Sequence, residues 1–129
     1  MYDFETEFEV RDYECDIQGI VNNSVYQNYL EHTRHKFLKT LGRDFAQLSK
    51  EEDINPVVYR IEIDYKKPLK SGDKFVCKLK MEREGNLKLL FKQDIYRLPD
   101  NTPIIKSVVT AVVLKSGRPV KPDFLIGEK

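Results

Sequence analysis

Residues 10–41 read VRDYECDIQGIVNNSVYQNYLEHTRHKFLKTL. The stretch changes character at its centre. Up to Asn23 it is polar, aperiodic and broken by Gly19, which marks an ordered loop. From Ser24 to about Leu41 the apolar spacing becomes helical. Tyr26, Tyr29, Leu30, Thr33, Phe37, Leu38 and Leu41 recur at steps of three and four, one stripe of a long helix. Ser24 and Gln27 have the spacing of a capping box, with Asn22 or Asn23 as alternative caps. Gly42 suits the position just past the helix, and Lys36 and Lys39 suit its negative end.

On either side of this stretch the period drops to two. In residues 2–10, Tyr2, Phe4, Thr6, Phe8 and Val10 alternate with Asp3, Glu5, Glu7 and Glu9, a strand with one wet face. After a short helical turn over 44–48, Asp53, Asn55 and Pro56 break the chain. Tyr59, Ile61, Ile63 and Tyr65 then alternate with Val58, Arg60, Glu62 and Asp64. Residues 67–73 make a turn, and Phe75, Cys77, Leu79 and Met81 begin the next alternation. Gly85-Asn86 closes a hairpin onto Leu87, Leu89 and Phe91. Residues 99–101 turn again into a β-branched run from Ile104 to Leu114, ended by Gly117 and Pro119 before an irregular tail. The expected class is α+β: one long central helix against an antiparallel sheet of about five strands, four of them a meander after the helix.

Composition narrows the function classes. The chain has 129 residues, 40% of them hydrophobic, which fits a single domain over 1–129 with a real core. No window approaches the roughly 18 apolar residues of a membrane span. The start, MYDFETEFEV, lacks the basic and apolar regions of a secretory signal, so cytoplasmic residence is the default expectation. Cys15 and Cys77 stand far apart and read as free thiols. Only His32 and His35 could join them at a metal, so no metal site is expected. Residues 1–65 hold 7 Lys+Arg against 14 Asp+Glu, and residues 66–129 hold 15 against 7. Such asymmetry suits a phosphate-bearing ligand, or simply Lys-rich strand faces. Nucleic acid is disfavoured, because no aromatic stacking platform accompanies the basic positions. There is no G-x-S-x-G elbow and no Gly-rich phosphate loop.

The chemistry concentrates where loop meets helix. A helix N-terminus presents backbone N–H groups without intrahelical partners. Aimed at a carbonyl, they stabilise the oxyanion of acyl transfer. Asp16 precedes the helix start at Asn22–Ser24 by about seven residues and can loop back to attack a carbonyl or deprotonate water.

The wording of residues 10–26, with Asp16, Gly19, Val21-Asn22-Asn23 and Tyr26, resembles the signature of hotdog-fold thioesterases, both the 4-hydroxybenzoyl-CoA thioesterase-like acyl-CoA enzymes and the acyl-ACP enzymes. Leu30-Glu31 with Arg34, and the Tyr65-x-x-Pro68 and Gly72-Asp73 turn, continue the likeness over nearly the whole chain. The resemblance implies the hotdog fold, a long central helix wrapped by the sheet. It implies hydrolysis of an acyl-CoA or acyl carrier protein thioester with no cofactor, CoA being part of the substrate. Asp16 takes the position of the catalytic nucleophile or general base, and Asn23 that of the oxyanion-hole residue. Tyr13, Asn22, Tyr59, Arg60, Lys66, Lys67 and Lys88 are candidates for binding substrate, the basic ones for its phosphates. Many acyl-CoA members carry His where Asn23 stands, and the Asn-Asn form is similar to the acyl-ACP group. The resemblance also implies a homodimer, often a tetramer, joined through sheet edges. A non-catalytic acyl-CoA-binding protein of the same fold is the alternative reading. Glu31 is expected to pair with Arg34 at i, i+3 or to support the loop, and His32 and His35 to stand on the wet side of the helix.

Overall fold

In a computed structural model that describes residues 2–41 and 50–122, one long helix lies in the curl of an antiparallel sheet. The elements are β1 (Phe4–Glu9), a 3-10 turn (Asp12–Glu14), α1 (Asn23–Thr40), β2 (Ile54–Tyr65), β3 (Lys74–Glu84), β4 (Lys88–Leu98), β5 (Thr102–Lys115) and β6 (Arg118–Val120). Gly42, the turn expected over 44–48 and the tail from 123 lie outside the described residues. The helical stripe is as read, with Tyr26, Tyr29, Leu30, Thr33, Phe37 and Leu38 buried, and with one addition, Arg34. The cap differs. Asn22 is the N-cap and its side chain makes no capping bond, so the Ser24–Gln27 box does not form and Ser24 lies inside the first turn.

The sheet order is β1-β3-β4-β5-β2, with β6 also paired to β5. Strands β3, β4 and β5 form the expected meander, but β2 pairs with β5 rather than β3. Alternation marks a strand without naming its partner, so the connection over 66–73 had to be seen crossing the end of the sheet. Asn55 and Pro56 also lie within β2 instead of breaking the chain. Proline is tolerated there because β2 is an edge strand, and a missing N–H costs no ladder bond on its open side. A β-bulge between Val58 and Arg60 leaves Tyr59 without a register partner on β5. The inner face of β2 is therefore Val58, then Ile61, Ile63 and Tyr65, opposite Ala111, Val109, Ser107 and Ile105. The simple alternation from Tyr59 holds only after the bulge. A sixth strand replaces part of the irregular tail: Ser116 and Gly117, both at positive φ, turn the chain back onto β5.

The charge asymmetry of the two halves has a structural outlet. On the outer face, Glu5, Lys78, Asp94, Lys106 and Asp64 are successive register partners across β1, β3, β4, β5 and β2. The acidic strands of the first half thus flank the basic strands of the second, and opposite charges alternate across the row. Lys92 and Lys80 both ion-pair with Glu82 on this face.

The core divides at the middle of the helix. One cluster gathers Val10, Val21, Tyr26, Tyr29, Leu30, Leu69, Phe75, Cys77, Ile95, Ile104 and Ile105 under the loop before the helix. The other holds Phe37, Leu38, Ile54 and the distal residues of β3, β4 and β5. Both cysteines are free. Burial pushes the Cys77 thiol up to about 11. Phe75 ties the first cluster together: fully buried, it stacks on Phe8 at 5.0 Å and meets Tyr29 at 4.7 Å. Phe75→Ala should cost about 3–5 kcal/mol, a large part of the roughly 5–15 kcal/mol that holds such a domain folded. Urea unfolding measures it. A loss below about 1 kcal/mol would mean that the helix is held elsewhere, since even a modest core truncation exceeds that.

Candidate active site

The loop before α1 is built by short-range polar bonds and then bolted to the crossing connection. Glu14 anchors its first half: its Oε1 accepts from the Arg11 amide at 2.9 Å and from the Tyr29 hydroxyl at 2.8 Å. Burial and this carboxylate push the Tyr29 hydroxyl well above the ordinary phenol range. Asp16 organises the second half. Its amide donates to the Ile20 carbonyl at 2.8 Å, and its carbonyl accepts from Gly19 at 2.9 Å. Its Oδ1 accepts from Gln18 N–H at 2.8 Å, with Ile20 N–H at 3.4 Å. The turn needs a residue at φ +81°, which Gly19 supplies without strain. Asp16 is half-buried, and its Oδ2 makes no hydrogen bond to any described residue.

From there the chain is held against residues 69–73. Val21 N–H donates to Leu69 O, Ile20 bridges Lys70, and Val10 N–H donates to Asp73 O. The Tyr26 hydroxyl accepts from Leu69 N–H at 3.1 Å, and Ser71 donates to Asp12. This places the start of α1 beside the end of β2. Asn22 N–H is used on Glu14 O, and Val25 N–H turns back to Asn22 O. The amides of Asn23 and Ser24, first and second in the helix, have no acceptor among the described residues. They are the orphan donors that a helix start supplies.

A cavity of about 220 Å³ opens beside them, lined by Ile20, Val21, Asn23, Tyr26, Tyr65, Lys66, Lys67 and Pro68. The structure therefore gathers Asn23, Lys66 and Lys67 around one opening, with Asp16 in the adjoining turn that delivers Ile20. Asn22 is exposed at the helix cap. The other candidates stand apart within one protomer. Tyr13 is 75% exposed, its hydroxyl accepting from Arg11. Tyr59 is exposed at the bulge. Arg60 follows it, paired with Glu62 at 3.4 Å on the opposite side of β2 from Ile61. Lys88 sits at the far hairpin with Glu84, 3.9 Å away.

Sequence reasoning missed Tyr65 and Pro68 as cavity walls, although both stand in the Tyr-x-x-Pro stretch. It missed the burial of Arg34 as well. Arg34 makes no ion pair with Glu31. It is drawn inward to Gln93 Oε1 at 3.0 Å, and burial lowers its pKa although Glu31 opposes the shift. His32 is exposed with its ring against Phe8, and His35 is exposed along the same helix. Among the described residues no group of three or more His, Cys, Asp or Glu is placed to hold a metal ion, and no helix is long and apolar enough to cross a membrane.

A central helix wrapped by a curled antiparallel sheet, with unpaired amides at the helix start and a cavity lined by Asn23, defines a hotdog-fold protein. Residues 18–104 match the thioesterase superfamily, and the chain belongs to that family. It is 36% identical over 126 residues to the acyl-acyl carrier protein thioesterase ATL3, chloroplastic, of Arabidopsis thaliana, covering 97% of this chain and 66% of that one. It is 36% identical over 90 residues to the putative acyl-CoA thioesterase YneP of Bacillus subtilis, covering 70% of this chain and 64% of the relative. The chain thus spans just under two thirds of the length of these relatives. Among solved structures, a 1,4-dihydroxy-2-naphthoyl-CoA thioesterase from Synechocystis superposes with a TM-score of 0.89 at 13% identity, covering 96% of this chain and 92% of that one. A Thermus thermophilus thioesterase complexed with coenzyme A and Zn gives 0.83 at 24% identity, covering 99% and 98%. Both likenesses are of fold.

Proposed function

We propose that the protein hydrolyses an acyl thioester, carried on acyl carrier protein or on CoA, to a free acid and a thiol. The observation that carries this reading is the pair of orphan amides at Asn23 and Ser24 beside a cavity, with the free Oδ2 of Asp16 in the adjoining turn. Asp16 acts as nucleophile or as general base toward water. The Asn23 amide takes the oxyanion as the carbonyl becomes tetrahedral. The C–S bond then breaks, the thiolate leaves with a proton, and water supplies the acid's new oxygen. No cofactor enters the reaction. Lys66 and Lys67 at the mouth suit a phosphate of the pantetheine carrier, and Asn22 flanks the entry. Tyr13, Tyr59, Arg60 and Lys88 join the substrate only through a second copy of the chain.

That second copy pairs along β2. Its edge carries exposed Val57, Val58, Tyr59, Ile61 and Tyr65, whereas the other edge, β1, carries Glu5, Glu7 and Glu9. Acidic side chains deter strand addition, and an apolar open edge invites it. An isologous homodimer follows, with tetramers as a further association. Identity to an acyl-carrier-protein enzyme and the Asn22-Asn23 pair favour the carrier protein over free CoA. Cytoplasmic residence remains the expectation from the sequence, beside plant relatives whose names place them in the chloroplast.

A thiol-release assay over matched acyl-CoA and acyl carrier protein substrates tests the proposal. Thiol release is expected, faster from the carrier protein. Tight acyl binding with no thiol released would instead establish the non-catalytic alternative, which the fold alone permits.

A further inference from the structure

Arg34 is the one charged residue in the buried stripe of α1, 8% exposed. Its Nη1 donates to Gln93 Oε1 at 3.0 Å. Gln93 is itself fully buried, and its Nε2 is held by the Leu30 carbonyl at 2.9 Å. The guanidinium is thus fixed in place by a neutral amide, with no ion pair among the described residues. A guanidinium offers five N–H donors in a planar fork, and one is used. Nε and Nη2 make no hydrogen bond to a described residue. Arg34 lines a cleft of about 330 Å³, bounded by Gln27 and Glu31 on the helix and by Val58, Ile61 and Phe91 on the sheet. Glu31 lines the same cleft and favours the charged guanidinium without forming an ion pair with it, and a largely buried charge with unfilled donors at a cleft marks a candidate binding group.

This cleft lies further along α1 than the cavity at Asn23, and the two share no lining residue. Gln27 follows Asn23 by one helical turn on the same face. Ile61 and Tyr65 share the inner face of β2, with Tyr65 at the cavity beside Asn23 and Ile61 at this cleft. Arg34 lies about 16 Å along the axis from Asn23. Long helical side chains lean back toward the N-terminus, which brings the guanidinium to roughly 10–13 Å from the orphan amides. That is the reach of a medium-length acyl group.

We propose that Arg34 determines acyl specificity by binding an oxygen acceptor, a hydroxyl or a carboxylate, at the far end of the acyl group while its carbonyl sits at Asn23. The proposal rests on the thioesterase reading, and the chemical class of substrate is an end-oxygenated medium-chain acyl thioester. Gln93 positions Arg34, and the apolar wall of β2 and β4 takes the methylenes between.

The test compares decanoyl-CoA, 10-hydroxydecanoyl-CoA and 9-carboxynonanoyl-CoA by kcat/KM. The parent should prefer the oxygenated chains by about tenfold or more, as expected for a charge-assisted bond. Arg34→Met should bring the ratio to about one with decanoyl-CoA turnover kept within about threefold, since it removes a substrate contact and not the reacting groups. Arg34→Lys, which keeps the cation and guards against a folding defect in the methionine variant, should retain a preference for the carboxylate. A parent that shows no preference, or an Arg34→Met enzyme that keeps one, overturns the assignment. Calorimetry with the hydrolysis-inert decyl-CoA and 10-hydroxydecyl-CoA thioethers separates the two readings. Discrimination in binding without hydrolysis of any thioester sinks the enzyme and leaves Arg34. Hydrolysis without discrimination sinks Arg34 and leaves the enzyme.

Discussion

Asp16→Asn abolishes most thioester turnover, by about 10²–10⁴-fold in kcat, the range set by loss of a positioned acid–base group. Asparagine is the sharper variant because it preserves the turn. The side-chain oxygen that accepts from Gln18 N–H at 2.8 Å survives as an amide oxygen, while the charge and the free second oxygen are lost. Asp16→Ala loses that turn bond as well, at about 1 kcal/mol of stability, so a melting curve should separate the two variants while both stay inactive. An Asp16→Asn protein with full turnover on a thioester that the parent hydrolyses would remove the carboxylate from the mechanism. Single turnover in heavy-oxygen water then distinguishes the roles. A nucleophilic Asp16 passes through a mixed anhydride and can acquire the label, whereas a general base does not.

The parts of this molecule written in local sequence were legible, and the parts assembled from a distance were not. The helix announced itself because seven apolar positions share a stripe, and the Asp16 turn because it closes within five residues. Asp16 and the Asn22–Asn23 helix start were legible for the same reason. Three features depended on non-local pairing. Strand β2 alternates as well as any strand, yet its pairing with β5 follows from a crossing connection that no alternation encodes. The bulge at Tyr59 shifts the face by one residue, so Val58 and not Tyr59 looks inward. Arg34 falls on the helical stripe, but its spacing from Glu31 argued for an i, i+3 pair. Only its partner Gln93, 59 residues away on β4, explains its burial. Similarly, Lys66 and Lys67 reach the helix start because the 66–73 connection is bonded beneath Val21, while Arg60 and Lys88, basic residues of the same kind, are used in exposed ion pairs.

Asn23→Pro, set against Asn23→Ala, isolates the oxyanion donor, and it should lower kcat by about 10²–10³-fold, the usual loss for one such donor. The substitution works because of where the residue stands. Asn23 is the first residue of α1, a position at which the N–H has no helical acceptor and proline's fixed φ suits the helix. The preceding Asn22 already has φ −60° and ψ 140°, in the extended region that a residue before proline requires. The helix should therefore survive, and circular dichroism and thermal melting should match the parent closely. Asn23→Ala keeps the amide and removes only the side chain. It should stay within about tenfold of the parent, because a side-chain contact to water or thioester contributes less than the aimed backbone donor. The order of the two variants carries the argument. If alanine falls as far as proline, which lacks the same side chain, the side-chain amide of Asn23 is the working group. If proline alone fails, the helix N-terminus stabilises the oxyanion, with Ser24 N–H supplying the residual rate.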